Sequence, residues 1–508
     1  MNGSCAATAA QPRVSDLLAL AVDPQANVHV SAVALDSREV REGALFLACR
    51  GVSGVHGLDY LEQALANGAA AVAFEPDGAS LPASSAVPAI CVPGLRSRLG
   101  QIADRFYAQP SAAIRVVGVT GTNGKSTVAW WLANAAEYLA MPTAFLGTLG
   151  AGRPPQLEAG ALTTPDVLAV HQFLAAAREE SADLDGVAME VSSHALDQGR
   201  VDGVRFDGAI FTNLSRDHLD YHPDMQAYAA AKERLFVEHR PRLAVVNVDD
   251  EVGRRFAARA DALAEVLWTV GTQAPPEESP PARHLQIAAV EQSSQSLRIC
   301  LGGHLAGAEL TLSAIGRFNA YNALQVLAVL LDRGVDFDAA AAALARCPPP
   351  PGRMQQVGGG AREPLVVVDY AHTPDSLRES LATLREATRG QLICVFGCGG
   401  DRDRGKRPLM AQAAEGGADR VFVTDDNPRT EDPAQIVDDI LAGLQRPSEV
   451  IVAHDRRAAI RQAVAVAVAG DVVLVAGKGH EDYQIRGTKR SRFSDADEAL
   501  AALGEGRR

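Results

Sequence analysis

Along this chain, short unbroken apolar runs alternate with longer stretches of mixed polarity. "VVGVT" (116–120), "GVAMEV" (186–191), "GAIFTN" (208–213) and "LAVVNVDD" (243–250) are rich in β-branched or apolar residues and end in turn formers. Continuous runs of that length predict strands buried on both faces of a parallel sheet. The residues between them carry helical periodicity, most plainly over 125–139 and in "FNAYNALQVLAVLLDRG" (318–334). Shorter strands and helices are predicted earlier, in "VSAVALDSREV", "GALFLA" and "YLEQALANGAAAVAFE". A helix within "GLRSRLGQIADRFYAQPSAAI" should stop by Gln109-Pro110, because proline disfavours helix in the residue before it. "PPEESPPARHLQIAAVEQSSQSLRICL" (275–301) reads as a loop followed by an antiparallel hairpin.

"CPPPPGRMQ" (347–355) is a stiff, proline-rich connector. Beyond it "PLVVVDYAH", "QLICVFGCGG", "RVFVTDDN" and "DVVLVAGKG" alternate with helices, a second, Rossmann-like unit. The expected fold is therefore α/β with three domains. These are a small N-terminal α/β domain (1–108, its first fifteen or so residues a disordered tail), a central P-loop domain with a parallel sheet (109–347), and a C-terminal Rossmann-like domain (348–508). A length of 508 residues suits three domains.

Composition narrows the classes. The net charge of −14 argues against a nucleic-acid partner. The most apolar stretch, "AVAVAVAGDVVLVAG", contains Asp471 and is too short to span a bilayer, so no membrane insertion is expected. The N-terminus lacks the basic-then-apolar pattern of a signal peptide. The seven cysteines are scattered, and Cys394 and Cys398 have no second pair to complete a zinc site. Reduced thiols in a cytoplasmic protein are the expectation.

The candidate chemistry begins at "GTNGKST": Gly121, Thr122, Asn123, Gly124, Lys125, Ser126 and Thr127. Glycines between a strand and a helix let backbone N–H groups turn toward phosphate oxygens, and the helix N-terminus adds positive potential. Lys125 is placed for the β/γ-phosphates and Ser126 or Thr127 for Mg²⁺. The strict spacing wants its first glycine at 119, and Gly118 is one position early. Phosphate binding alone also fits a nucleotide-driven switch. A GTPase would need an N-K-x-D base reader, and the nearest match, "NVDD", lacks the lysine.

Other polar clusters follow predicted strands. Glu190 ends "GVAME" and is a candidate Mg²⁺ ligand or a satisfied buried carboxylate. His218, in "TNLSRDHLDYH", could be a ligand or a helix-cap residue. Lys232, in "AYAAAKERLF", reads by itself as a surface lysine. "TTPD" (163–166) reads as a turn or helix cap.

Taken together and in order, GTNGKST, LTTPD, EVSSHALDQGRV, TNLSRDHLDYH, AAKERLF, GRFNAYNA, PGRMQ, DYAHTPDSL, FGCGGDRDRGKRP, DDNPR and AGKGHEDYQ resemble the Mur ligases, over roughly residues 28 to 500. The resemblance implies an ATP-dependent, amide-forming ligase of peptidoglycan synthesis, working in the cytoplasm through an acyl phosphate and releasing ADP and phosphate. It implies the branch that adds meso-diaminopimelate to UDP-N-acetylmuramoyl-L-alanyl-D-glutamate, small-molecule substrates only, and a monomer. The GKST ending departs from the more common GKTT, and a serine hydroxyl serves equally. An L-lysine-adding or folylpolyglutamate-type relative is the nearest alternative, and a switch protein the alternative from another class.

The resemblance also distributes roles. Ser126 and Glu190 would hold one Mg²⁺, and His218 and Lys232 a second. Lys232 would be a carbamate, since an ammonium would repel the ion. Leu35 and Ser37 would meet the uridine end, and Thr163, Thr164, Ser192, Gln198 and Arg200 the muramoyl-dipeptide. Asn319 and Arg353 would help hold ATP, with Asp369 and His372 meeting it from the C-terminal domain. Arg402, Asp426, Asn427, Pro428, Arg429, Gly477 and Glu481 would form the amino-acid pocket, with Arg429 gripping the distal carboxylate as a bidentate fork and Glu481 facing the distal ammonium.

Overall fold

The computed structural model describes residues 11–505 apart from 52–53, 78–85, 161, 182, 220, 260–263, 275–282 and 294. The chain divides into two compact units. One comprises Met1–Thr122, Met141–Ala244 and Asp261–Val266, the other Asn123–Ala140, Val245–Ala260 and Leu267–Arg508.

The first unit opens earlier than expected. Most of the expected tail, residues 1–10, lies outside the described residues. From there the chain is ordered: Arg13 bridges to His29, and helix Val14–Leu18 buries Val14, Leu17 and Leu18. These three apolar side chains join a core with Leu45, Leu47, Ala71 and Ile102, and this is why residues 11–15 are not a loose tail. Strands Ala32–Ala34, Ala44–Ala48, Ala69–Phe74 and Ala89–Cys91 pair in that order, all parallel. Helix Leu95–Phe106 follows and ends three residues before the limit that Pro110 sets.

The same unit carries a second sheet segment in which Gly208–Phe211, Arg115–Thr120, Gly186–Glu190 and Thr143–Gly147 run side by side and parallel. Gly186–Glu190 is buried at all five positions, the both-face burial that its continuous apolar run predicts. The antiparallel strands Gly150–Arg153 and Gln156–Glu158 close this edge. Gly118 lies within its strand, where a Cβ would press on the Phe206 ring at 2.8 Å. It is a packing glycine, and the turn itself begins at Gly121.

The second unit contains helix Lys125–Tyr138 and the predicted hairpin, observed as Arg283–Gln292 against Leu297–Gly303 in antiparallel register. Helix Phe318–Asp332 is buried along most of its length. The connector is held by two indoles: the Nε1–H groups of Trp130 and Trp131 both donate to Pro348 O, at 3.1 and 3.0 Å. Beyond it lies a six-stranded sheet in the order Gln355–Gly358, Leu365–Asp369, Val472–Ala476, Leu392–Phe396, Arg420–Val423, Ile451–Val452. All are parallel except the first, an edge strand that the sequence pattern did not predict.

Behind this sheet Arg456 and Asp495, both fully buried, form a bidentate pair at 2.7 Å on each arm. Arg456 also donates to Ala476 O at 2.9 Å, which ties the pair to the end of a central strand. Removing one partner strands the other charge in a low-dielectric interior. Asp495→Ala should therefore destabilise the protein by about 3–5 kcal/mol, read as a lowered urea midpoint. Arg456→Met/Asp495→Leu should recover much of that loss; a midpoint unchanged in Asp495→Ala would show the pair to be energetically idle.

Candidate active site

In the first unit the parallel strands deliver their polar ends to one edge, where α/β sheets bind ligands. Strand Arg115–Thr120 runs into Gly121, whose φ of +147° suits glycine. A Cβ at Gly121 would collide with Thr212 Oγ1, at the end of the neighbouring strand. Thr122 N donates to Asn213 O at 2.8 Å, and Thr122 Oγ1 lies 3.2 Å from the Tyr228 hydroxyl.

Lys232 is not a surface lysine. It is buried, its ammonium donates to Gly121 O at 2.7 Å, and it lies 4.4 Å over the Tyr228 ring. Asp224 opens its helix, Met225–Val237, by accepting from Ala227 N at 2.8 Å. Burial pushes the Tyr228 phenol up to about 12, so it remains a neutral hydroxyl beside this cation. His218, at φ +53°, keeps 41% of its side chain exposed, with Nε2 3.4 Å from Asp217. It shares the Tyr228 ring with Lys232, at 5.9 Å between ring centres.

Glu190 is fully buried at its strand end. Thr148 N donates to its Oε1 at 2.8 Å and Thr148 Oγ1 to its Oε2 at 3.1 Å. Thr148 Oγ1 is also 3.0 Å from Thr163 Oγ1. A Cβ at Gly147 would overlap the Glu190 carboxylate, so the glycine makes the space. Thr164 is buried and donates to Glu190 O at 2.9 Å, while Asp166 caps helix Val167–Glu180. Thus "TTPD" both caps a helix and locks onto the Glu190 strand. Ser192 caps the next helix through Ala195 N. Arg200 donates to Gln198 Oε1 and to Thr164 O. Ser37 is tied to Gln63 at 2.7 Å, and Leu35 packs against the N-terminal core.

In the second unit Gly124 (φ +86°) caps helix Lys125–Tyr138 without a side chain. Its missing Cβ would sit 2.5 Å from Asn322 Oδ1. Ser126 and Thr127 are buried in the first turn. Asn319 spends its side chain internally, donating to Ile315 O at 2.7 Å and accepting from Asn322 at 2.9 Å, so it acts on the turn through Asn322. Asp369 likewise is engaged at both oxygens, by Met354 N (2.9 Å) and Ser380 Oγ (2.7 Å), which fasten the connector to the sheet. Arg353 lies 4.7 Å over the Tyr370 ring. His372 hydrogen-bonds Tyr370 O at 2.8 Å.

At the carboxyl edge of the six-stranded sheet three loops converge. Asn427 Nδ2 donates to Glu481 Oε2 at 2.8 Å, and the buried Lys478 donates to Asn427 Oδ1 (3.1 Å) and Glu481 Oε2 (3.0 Å). Glu481 is therefore already charge-compensated within the protein, through one of its two oxygens. Gly477 (φ +117°) leaves room for the Asp426 carboxylate. Pro428 leads into Arg429, which adopts φ +52° and donates from Nη1 to Gly400 O at 2.8 Å. It is a held arginine rather than a turn-exposed one. Gly399 accommodates it, with Arg402 on its exposed side. Arg407, fully buried against Glu431 and Asp439, braces the loop that carries Arg402.

Thr148, Tyr228, Asn322, Arg407 and Lys478 carry no role in the sequence reading. Arg407 and Lys478 stand inside quoted motifs, where their burial was the missing information; nothing in the string marks Thr148. Cys347, Cys394 and Cys398 are buried, and burial pushes their thiols up to about 12.

The donor set fits a magnesium nucleotide. Among the described residues no group of three or more His, Cys, Asp or Glu forms a protein metal cage. Mg²⁺ typically takes one or two carboxylates and fills its shell with phosphate and water. Glu190, a carboxylate at a strand end, can supply such a ligand. The class so defined is a P-loop α/β enzyme with an acidic strand end in one unit and an arginine-bearing cluster of loops in the other.

Comparison with known proteins specifies that class. The family descriptions "Mur ligase family, catalytic domain", "Mur ligase middle domain" and "Mur ligase, glutamate ligase domain" match residues 29–107, 119–330 and 352–479. The chain belongs to the Mur ligase family, whose members are ATP-dependent amide ligases. It is 49% identical over 480 residues, 94% of each chain, to the UDP-N-acetylmuramoyl-L-alanyl-D-glutamate–2,6-diaminopimelate ligase of Xanthomonas oryzae pv. oryzae. It is 48% identical over 475 residues (92% and 94%) to the protein of the same name from Pseudomonas putida. A solved structure of a ligase of that name matches with TM-score 0.72 at 34% identity, covering 98% of this chain and 100% of the other. The MurF ligase of Thermotoga maritima, solved with ADP, shares the fold at TM-score 0.60 and 17% identity, over 97% and 98% of the chains.

Gly121→Ala tests the phosphate loop directly. Its Cβ displaces the turn against Thr212 and shifts the carbonyl that Lys232 holds. ADP binding measured calorimetrically should weaken by about tenfold or more, the equivalent of ~1.4 kcal/mol. Wild-type affinity would place the phosphates elsewhere.

Proposed function

We infer that this chain joins meso-2,6-diaminopimelate to UDP-N-acetylmuramoyl-L-alanyl-D-glutamate at the expense of ATP, in cytoplasmic peptidoglycan synthesis. The observation that carries the reading is the 49% identity to ligases of that name across nearly all of both chains. The Arg429 loop supports the acceptor: a fixed guanidinium suits a substrate whose far end bears a carboxylate.

A carboxylate is a poor electrophile at neutral pH. In the reaction the side-chain carboxylate of D-glutamate attacks the γ-phosphorus of ATP, and ADP leaves. The amine of diaminopimelate then attacks the acyl carbon and loses a proton; the tetrahedral adduct collapses to amide and inorganic phosphate. Lys125 and the turn amides offset charge on the transferring phosphoryl. Ser126 and Glu190 would hold one Mg²⁺ and His218 and Lys232 a second, which would supply positive charge at the phosphates. Lys232 would act there as its carbamate, an anionic oxygen donor in place of the ammonium; its burial beside the turn supports this. Asn319, Arg353, Asp369 and His372 serve the ATP side, Ser192, Gln198 and Arg200 the acceptor nucleotide.

Three successive domains with boundaries near 108 and 347 organise the work, in line with the three matched segments. The protein acts as a cytoplasmic monomer on soluble substrates; no described helix is long and apolar enough to cross a membrane.

Phosphate release from ATP in the presence of the UDP-muramoyl-dipeptide tests the reading. Release should depend on meso-diaminopimelate and not occur with L-lysine. Release with lysine would overturn the acceptor assignment, and release indifferent to both would favour a switch protein. Lys232→Ala should abolish ligation and leave the fold intact by circular dichroism; a near-wild-type rate would sink the carbamate.

A further inference from the structure

Tyr221 lies outside every role assigned above, yet it closes a directed chain of hydrogen bonds on the acceptor side of the first unit. Arg200 donates from Nε and Nη2 to Gln198 Oε1, at 3.0 and 2.6 Å. With its oxygen so committed, the Gln198 amide presents its NH₂ on the other side, and Nε2 donates to the Tyr221 hydroxyl at 3.2 Å. That hydroxyl, accepting from Gln198, sends its own proton to Asp197 Oδ2 at 2.6 Å. Arg200 spends its remaining arm, Nη1, on Thr164 O at 2.9 Å, and Thr164 is locked to the Glu190 strand through Glu190 O. The Tyr221 ring rests on His194, 4.1 Å between ring centres.

Each group in the chain has one role it can fill. A guanidinium only donates and a carboxylate only accepts, so the two ends fix the direction of the amide and the hydroxyl between them. An amide turned the other way would bring NH₂ against the guanidinium. The Tyr221 phenol is held above its ordinary value by burial and by its bond to Asp197, so it keeps the proton it donates. Tyr221 and Asp197 also line an open cavity of about 590 Å³, with His222, Pro223, Ala227 and Arg234 among its walls.

We propose that Tyr221 is a positioning residue for the acceptor nucleotide: it orients the Gln198 amide, and through it the Arg200 guanidinium, before substrate arrives. The proposal rests on the reading that Gln198 and Arg200 bind UDP-N-acetylmuramoyl-L-alanyl-D-glutamate. Tyr221→Phe keeps the ring on His194 and removes only the hydroxyl. The Gln198 NH₂ then loses its acceptor, and the amide, still turned toward Arg200 through its oxygen, is held at one end instead of two.

The test is titration calorimetry of the full-length wild-type and Tyr221→Phe proteins with that nucleotide and, separately, with ADP. The expected result is acceptor binding weakened by about tenfold, ~1.4 kcal/mol, with ADP affinity, thermal midpoint and the KM for diaminopimelate unchanged. Equal acceptor affinity in both proteins overturns the positioning role, as does a parallel loss for both ligands, which would mark a structural defect. A wild-type protein that fails to bind the nucleotide at all overturns the functional reading beneath it. Asp197→Asn, which still accepts the hydroxyl proton, should bind within about threefold of wild type, less than ~0.7 kcal/mol; a loss as large as that of Tyr221→Phe would show that the Asp197 charge, not the direction of the chain, carries the effect.

Discussion

Parallel strands all finish at the same edge, and both units are built around that constraint. Antiparallel neighbours would scatter their turns to opposite ends. Here the helical crossovers return the chain each time, so the loops after Thr120, Glu190 and Phe211 share one edge in the first unit. Those after Asp369, Phe396, Val423 and Ala476 share one in the second. Glu190 stands at such a strand end, and Gly121, Asp426, Asn427 and Lys478 lie on the loops that follow. The antiparallel strands Gln156–Glu158 and Gln355–Gly358 are confined to the edges.

Concentrating polar groups at a buried edge has a cost, and the surrounding residues are arranged to offset it. Glu190 is met by both donors of Thr148, Lys232 by a backbone carbonyl and the Tyr228 face, Lys478 by Asn427 and Glu481. Leaving any of these unpaired would cost more than the bond itself contributes. Several residues with an anticipated ligand role turn out to spend their side chains on this support. Asp369 holds the connector and a helix, Asn319 holds Asn322, and Ser37 holds Gln63.

The connector shows the same economy. Four consecutive prolines supply no backbone N–H, so their carbonyls need donors from elsewhere. Two indoles on the helix that begins at Lys125 converge on one of those carbonyls, and Gly352 allows the chain to pass against His480 N. Asp369 then receives Met354 N. The stiffness legible in the proline run is thus completed by donors from distant segments.

The features legible in the order of residues alone are local ones. Apolar runs predicted strands within one to three residues, because burial on both faces leaves no room for polar positions. "GTNGKST" declared a phosphate turn, since glycine spacing and a following helix are properties of adjacent residues. Eleven ordered motifs carried the family. The tertiary structure decided what depends on distant neighbours. It buried Lys232, turning an unremarkable helix lysine into a cation over Tyr228. It put Phe206 over Gly118 and so removed that glycine from the turn. It ordered residues 11–15 by giving helix Val14–Leu18 a core to join. It placed Lys478 against Glu481, and Tyr221 between Asp197 and Gln198. None of these pairings has a local signature, because the free energy of a buried polar group is set by its partner, and the partner is chosen by the fold.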